Sequence, residues 1–159
     1  MFSMTNETQI LIEHWRDAVP DDRLAHLIRD VSRAFLRSLG LRLEKYGIPI
    51  GHWAFLRVLW ESDGITQRQL SQKVGVMEPT TFTAMKSMEA MGYIKRVKLP
   101  PNRKNVYIYL TREGHSLKNK LVPLAVQANK ISVRGISDSD LLTTRRVLLQ
   151  MLDNLAKDD

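Results

Sequence analysis

Two cationic residues stand at the tip of a loop between two predicted strands. Residues 99–105 read Leu-Pro-Pro-Asn-Arg-Lys-Asn, and the apolar residues of 106–110 then alternate as in a half-buried strand. The planar, always charged side chain of Arg103 fits a narrow DNA minor groove, where the potential is most negative, with Lys98 and Lys104 near phosphates. The alternative is a solvated basic turn, because charged residues are common in turns.

A helical segment upstream of this loop offers a second set of polar groups. Its predicted inward stripe is Thr81, Ala84, Met85 and Met88, and its predicted outward residues are Pro79, Thr80, Thr83, Lys86 and Ser87. Threonine can contact base edges or thymine methyl groups, and lysine suits guanine or phosphate. The sequence does not decide the location of Phe82, which either packs in the core or contacts a thymine methyl group.

A shorter helix precedes this segment. Thr66 and Gln69 have the spacing of a capping box, and Gly75 is suited to end the helix that they open. Thr66, Gln67 and Arg68 form its first turn, whose amide groups would point at a phosphate in the usual docking geometry.

The charge balance favours an anionic partner. The 159-residue chain has 24 Lys and Arg against 17 Asp and Glu, a formal net charge of +7. Residues 95–120 contain eight of the basic residues and one acidic residue, Glu113. This is the pattern expected of a phosphate-binding surface, although Lys118 and Lys120 can equally serve only to solvate a helix.

The first 60 residues contain seven of the eleven Phe, Trp and Tyr residues, including all three tryptophans, and part of this set defines a candidate ligand site. The aromatic residues of this site are Trp15, Phe35, His52, Trp53 and Trp60, accompanied by Arg29, Arg33 and Arg37 at four-residue spacing. One hypothesis is an aromatic-lined pocket with cationic groups for an aromatic acid or its coenzyme A thioester. The alternative is a dimer core beside a solvated arginine face, and for the arginines we favour this alternative.

Motifs for catalysis are absent from the sequence. We find no paired-histidine metal motif, no glycine-rich phosphate loop and no Gly-x-Ser-x-Gly, and the four histidines are scattered. No cysteine is present, which excludes disulfides, thiolate metal sites and thiol-based redox sensing. We therefore expect no enzyme, no catalytic residue, no metal and no cofactor. Neither a signal peptide nor a membrane span is predicted, so a cytoplasmic location is the simplest expectation.

The elements needed to position these groups are mostly helical. After a polar arm over residues 1–20, helices are predicted over about 24–46, 51–61, 67–74, 79–91, 112–134 and 138–155, with two strands at 93–97 and 106–110. Asp21 or Asp22, Thr111 and Ser137 are suited to cap helices, and Pro123 should kink one. A helix-turn-helix followed by a β-hairpin is a winged helix, so the predicted fold class is mainly α with a small β-hairpin.

Three segments together resemble the MarR family (multiple antibiotic resistance regulators), a family of winged helix-turn-helix repressors. They are residues 64–76, 78–96 and 102–114. The resemblance covers about residues 24–155, and residues 52–61 look most like members that control the breakdown of aromatic acids. It implies a homodimer on an inverted-repeat operator in double-stranded DNA, typically released by a small molecule.

The resemblance also implies an internal division of one domain spanning residues 1–159. Helices over 21–47 and 112–157 would form the dimer, and residues 50–111 would form the DNA-binding region. Two departures from the family pattern are evident: Asn102 replaces the usual aspartate before Arg103, and Met77 stands where Ser, Thr or Asp normally caps the recognition helix. The rival functions are a ligand-independent architectural DNA-binding protein and a winged-helix module that binds protein.

Overall fold

The computed structural model describes residues 4–17 and 23–158, and most of these residues are helical. The helices are α1 Met4–Asp17, α2 Leu24–Glu44, α3 Trp53–Glu61, α4 Gln67–Val74, α5 Glu78–Ala90, α6 Arg112–Ser132 and α7 Asp138–Leu155, with a 3₁₀ turn at Ile50–His52. All six predicted helices are confirmed, with small differences at their ends. The predicted cap at Asp21 or Asp22 lies outside the described residues.

The N-terminal segment differs from the sequence prediction. The expected polar arm is largely the helix α1, whose Leu11 and Trp15 are one turn apart and half-buried. These two side chains line a small pocket together with Leu27 and Val31 on α2. A helix forms here because its apolar residues recur at helical spacing, a pattern that the surrounding polar residues obscured.

A small antiparallel sheet follows the helix-turn-helix, and it contains one more strand than the predicted hairpin. Strands β1 Ile65–Thr66, β2 Ile94–Lys98 and β3 Val106–Leu110 lie in the order β1-β3-β2. In β3 the predicted alternation holds, since Ile108 and Leu110 are buried while Tyr109 is exposed. The two-residue β1 was too short to recognise by periodicity, and it covers the free edge of β3.

The core lies between the helix-turn-helix and the inner face of this sheet. Its fully buried apolar side chains come from α2 to α6 and from strands β2 and β3, and they are Leu43, Leu56, Leu59, Leu70, Met85, Met88, Ile94, Ile108 and Leu121. Helices and strands that are far apart in the sequence share this one core. Their close packing therefore fixes the orientation of α5 relative to the wing.

Helix ends follow the predicted chemistry. The Thr66 Oγ1 accepts from the Gln69 backbone N–H at 3.1 Å, and the Gln69 Oε1 accepts from the Thr66 N–H at 2.9 Å, which confirms the capping box. Thr111 and Ser137 cap α6 and α7 as predicted. Met77 makes no side-chain cap at the start of α5, also as predicted.

The outer helices leave much apolar surface uncovered. No residue of α7 is buried, and Leu142, Leu149, Leu152 and Leu155 are each at least half exposed. Apolar residues of α2 and α6 are also exposed, among them Leu24, Val31, Leu36 and Ile131. An amphipathic helix whose apolar residues stay largely exposed within its own chain is typical of one that another surface covers.

Candidate nucleic-acid interface and ligand cavity

The second helix of the helix-turn-helix, α5, has one buried face and one polar face. Thr81, Met85 and Met88 are fully buried, which confirms the predicted inward stripe. The outward residues are all exposed, namely Pro79, Thr80, Phe82, Thr83, Lys86 and Ser87. The Thr83 hydroxyl donates to the Pro79 carbonyl at 3.1 Å, which leaves its lone pairs and its methyl group toward solvent. This face therefore offers hydroxyl, ammonium and aromatic groups together.

The angle between α4 and α5 is held by a buried polar contact that the sequence did not reveal. Ser71 on α4 and Thr81 on α5 are both buried, and the Ser71 Oγ donates to the Thr81 Oγ1 at 2.7 Å. A buried hydroxyl pair of this kind satisfies two polar groups that would be costly to bury alone. Only the tertiary contact identifies these two residues as partners.

The start of α4 carries the three residues proposed to face a phosphate. Arg68 is exposed, and its Nε lies 3.7 Å from the Glu78 Oε1 at the start of α5. An exposed pair at this distance is weak, so the arginine can exchange this partner for a phosphate. The Gln67 Oε1 is buried and has no hydrogen-bond partner, whereas Thr66 is engaged in the capping box.

Phe82 is not a core residue. It is 47% exposed on the outer face of α5. The Lys86 Nζ and the Arg96 guanidinium carbon each lie 5.7 Å from the centre of its ring. The structure thus answers the question that the sequence left open about its position.

Arg96 has a structural partner that sequence reasoning missed. The Glu89 Oε1 accepts from the Arg96 Nη2 at 3.1 Å and from the Arg96 Nε at 3.2 Å, and its Oε2 accepts from the Arg96 backbone N–H at 3.0 Å. The hydrogen bonds from the Arg96 side chain lower the pKa of Glu89 from its ordinary value. Arg96 therefore ties β2 to α5, and its charge is partly neutralised within the basic stretch.

The wing tip is exposed and basic. Lys98 ends β2, and Arg103 and Lys104 stand in the loop before β3, all three on the surface. The Asn102 Oδ1 accepts from the Lys104 backbone N–H at 3.1 Å, so the asparagine orders the turn of its own loop.

The base of the wing is tied to α3 and α6 by a network around Asp63. The Asp63 Oδ1 accepts from the Leu110 N–H at 2.8 Å, and its Oδ2 lies 3.2 Å from the His115 Nε2. The Trp60 Nε1 donates to the Gly114 carbonyl at 3.0 Å. The position of the wing therefore depends on residues of α3 and of the first turn of α6.

A cavity of about 790 Å³ lies between α2, α3 and α6. Three of the predicted ligand-site aromatics line it, Phe35, Trp53 and Trp60, and the rings of the two tryptophans meet edge to face at 5.8 Å. Its charged lining residues are Arg57, Glu61 and Lys118. The size and the largely apolar lining suit a small organic molecule, with the two cations able to pair with an acidic group.

The remaining predicted ligand-site residues lie elsewhere. His52 is buried beside the Tyr93 ring, with ring centres 6.1 Å apart, and its Nδ1 has no hydrogen-bond partner. Burial lowers the pKa of His52 from its ordinary value. Neither Arg29 nor Arg33 is a lining residue of the cavity between α2, α3 and α6.

Trp15 belongs to the contact between α1 and α2. Its Nε1 donates to the Asp30 Oδ2 at 3.1 Å, and the Arg29 Nε donates to the Asp30 Oδ1 at 3.3 Å. The hydrogen bond from Trp15 is the largest cause of a lowered pKa for Asp30. Trp15 and Arg29 thus share a carboxylate instead of lining the cavity with Trp53.

No helix in the described ranges is both long enough and apolar enough to cross a membrane. Within the same ranges no cluster of three or more potential metal-ligating side chains occurs. Four described features could recognise another molecule: the polar face of α5, the basic wing, the cavity and the uncovered apolar helices.

This winged helix is similar to known regulators of transcription in both sequence and fold. A model of the MarR family matches residues 48–106, from the 3₁₀ turn to the start of β3. The fold matches the crystal structure of a MarR transcriptional regulator from Methanosarcina mazei Go1, with a TM-score of 0.79 and 25% identity, covering 87% of this chain and 100% of that one.

Two curated relatives are transcriptional regulators by name. The chain is 29% identical over 136 residues to the HTH-type transcriptional regulator TtmR of Methylorubrum extorquens (strain PA1), which covers 86% of this chain and 65% of that protein, less than two thirds of it. It is 24% identical over 92 residues to the homoprotocatechuate degradative operon repressor of Escherichia coli, covering 58% of this chain and 60% of that protein.

The fold is that of winged helix-turn-helix regulators of transcription, a class of DNA-binding proteins that are not enzymes, and both curated relatives carry the name of such a regulator. Residues 48–106 match the model of the MarR family, and the fold is similar to that of a solved MarR transcriptional regulator.

Proposed function

We propose that this chain is a homodimeric repressor that binds an inverted-repeat DNA site and leaves it when a small aromatic acid or its thioester binds. The observation that carries the DNA-binding part is the exposed polar face of α5 directly above a buried, tightly packed core. Thr80, Thr83 and Lys86 would enter the major groove, and Arg103 would enter the minor groove beside it.

A dimer is supported by the apolar surface of the outer helices. Leu148, Leu152 and Leu155 on α7 are exposed at 40%, 64% and 63%. A second copy can cover them while its own α7 covers the same surface here, as in a twofold interface. In this proposal the helices over 21–47 and 112–157 form the dimer, and residues 50–111 form the DNA-binding region of a single domain.

The effector is proposed from the cavity. Aromatic rings can stack against Trp53 and Trp60, and an acidic group can pair with Arg57 or Lys118. The named function of the Escherichia coli relative, repression of an operon for degrading homoprotocatechuate, itself an aromatic acid, points to the same chemical class. Since the chain has no cysteine, its response cannot depend on a thiol.

The Trp60 side chain offers a physical link between the cavity and the DNA-binding surface. It lines the cavity, and its Nε1 donates to the Gly114 carbonyl next to the end of β3. A ligand that moves the indole would remove this hydrogen bond and loosen the base of the wing. For such a ligand to weaken DNA binding, it must bind the DNA-incompetent arrangement more tightly.

The test is selection of DNA from a random pool, repeated in the presence of benzoate, phenylacetate and their coenzyme A thioesters. We expect an enriched inverted repeat, and we expect at least one ligand both to quench tryptophan fluorescence and to weaken binding to that DNA. Enrichment of an inverted repeat with no effect of any ligand would contradict the effector part alone. Absence of any enriched sequence would contradict sequence-specific DNA binding.

A further inference from the structure

Phe82 combines an apolar side chain with a position on the polar face of α5. It is 47% exposed, between Thr81, which is fully buried, and Thr83, which faces solvent. A phenylalanine that packed only against its own chain would gain more from the buried face of the same helix. Its position among polar residues therefore calls for an explanation.

Two cations lie close to the ring. The Lys86 Nζ and the Arg96 guanidinium carbon lie at equal distances of 5.7 Å from the ring centre, within the range of cation–π contact. Arg96 is itself fixed by three hydrogen bonds to the Glu89 carboxylate. The orientation of Phe82 is thus restrained before any partner arrives, which lowers the entropy lost on binding.

We propose that Phe82 is a specificity-determining residue that reads the 5-methyl group of a thymine in the major groove. This inference rests on the DNA binding proposed above. A benzene ring can neither donate nor accept a conventional hydrogen bond, and the methyl group of thymine is the apolar group that the major-groove edges of the bases present. The flanking cations fit the same surroundings, because they lie near phosphates when the ring faces the bases.

The experiment uses the DNA sequence enriched by the full-length protein. Each thymine of one half-site, together with its symmetry mate, is replaced by deoxyuridine, which removes the methyl group and keeps the base pair. Binding of the parent, of Phe82→Ala and of Thr83→Ala is then measured on each DNA. Thr83→Ala is the matched control, since Thr83 carries the neighbouring methyl group that could contact thymine instead.

For the parent we expect one thymine whose replacement weakens binding about fourfold for each methyl group lost, or about 15-fold for the two half-sites. Phe82→Ala should bind the thymine and deoxyuridine forms equally, while Thr83→Ala, whatever its overall affinity, should still distinguish the two forms at that thymine. Because Phe82 lies outside the core, Phe82→Ala should unfold at the same temperature as the parent.

Three results would overturn the inference while leaving DNA binding intact. They are equal binding of the parent to every deoxyuridine DNA, unchanged discrimination in Phe82→Ala, and loss of discrimination in Thr83→Ala alone. In each case Phe82 would only cover the aliphatic stems of Lys86 and Arg96. Failure of the proposed function is distinct, because no DNA would then be enriched in the first step.

Discussion

At the scale of single residues, some basic side chains are exposed and free to contact DNA, whereas others are bound to partners within the chain. Arg96 and Arg103 are neighbours in the same basic stretch, yet Arg96 is bound to Glu89 while Arg103 is exposed at the wing tip. Counting charges along the sequence treats the two as equal. Their side-chain contacts show that only one of them is positioned by an internal carboxylate.

Arg103→Ala should weaken DNA binding and flatten its dependence on salt. Each subunit loses one charge, so the slope of log affinity against log salt should fall by about one charge per subunit, or about two per dimer. Discrimination at A·T-rich flanks should relax too, because arginine favours a narrow minor groove. Affinity is measured across a salt series, with Arg134→Ala as a control that removes the same charge beyond the far end of α6.

If the parent and Arg103→Ala show the same slope of log affinity against log salt, Arg103 does not contact the DNA. The wing would then be a solvated hairpin. An equal flattening by Arg134→Ala would instead assign the effect to net charge.

His52 should make the protein less stable in mild acid. Its pKa is lowered in the folded state, so below about pH 6.5 the unfolded state binds more protons, and the free energy of unfolding falls as pH falls toward the folded-state pKa. Above about pH 6.5, His52 is neutral in both states, and its contribution to the free energy of unfolding is fully present. One proton per chain limits the slope to about 1.4 kcal/mol per pH unit.

Urea unfolding of the parent and of His52→Gln between pH 5 and 7.5 measures this effect. The difference in unfolding free energy between the two proteins should be constant above pH 7 and should shift in favour of His52→Gln below pH 6.5. The other histidines are common to both proteins and cancel in the difference. A pH-independent difference would show that His52 titrates normally.

At the scale of elements, the junction between β3 and α6 explains why residue 114 is a glycine. The family resemblance included Gly114 but gave no reason for it. The Thr111 N–H donates to the Tyr93 carbonyl at 2.8 Å, and the Thr111 Oγ1 accepts from the Gly114 N–H at 3.1 Å. A Cβ atom on Gly114 would overlap with the Tyr93 carbonyl oxygen, a backbone atom that cannot move aside alone. The first turn of α6 can approach the sheet this closely only without a side chain.

Gly114→Ala should therefore lower the free energy of unfolding by about 1–3 kcal/mol, the usual cost of overpacking. It should also weaken DNA binding, since the Gly114 carbonyl accepts from Trp60 at the base of the wing. Gly51→Ala is the matched control, because nothing lies within 4 Å of a Cβ atom there. Urea unfolding and DNA affinity are measured for both, and equal small effects would disprove the close contact.

At the scale of the whole molecule, the uncovered helices support the proposed dimer. The described core is concentrated in the winged helix, whereas α7 buries no residue at all. The formal charge of +7 would repel a second copy, so the apolar contact must be large enough to outweigh it. A twofold arrangement would also place two α5 helices for two half-sites of DNA.

Leu152→Glu should weaken the dimer by at least about 100-fold. Full burial of a leucine contributes roughly 1.5–3 kcal/mol, and a twofold interface loses that contribution twice. Gln150→Glu adds the same charge on a different face of α7 and should leave the dimer intact. Sedimentation of all three proteins at micromolar concentration provides the measurement, and a stable folded monomer of the parent would refute the dimer.

The helix caps and the buried face of α5 could be predicted from the sequence. The capping box at Thr66, the caps at Thr111 and Ser137 and the inward stripe of α5 all depend on residues within a few positions of one another, and all are confirmed. Helical periodicity and cap geometry are short-range, so sequence spacing alone determines them. The basic wing and the winged-helix order of elements follow from the same short-range patterns.

Long-range pairing was decided only by the tertiary structure. The Ser71–Thr81 hydrogen bond, the Glu89 carboxylate on Arg96, the Trp60 contact with Gly114 and the third strand β1 each join separate elements. The folded chain likewise separates His52 and Trp15 from the cavity that Phe35, Trp53 and Trp60 line. Aromatic composition predicted a ligand site, but which rings meet depends on how α2, α3 and α6 pack, and packing angles are set by side chains far apart in sequence.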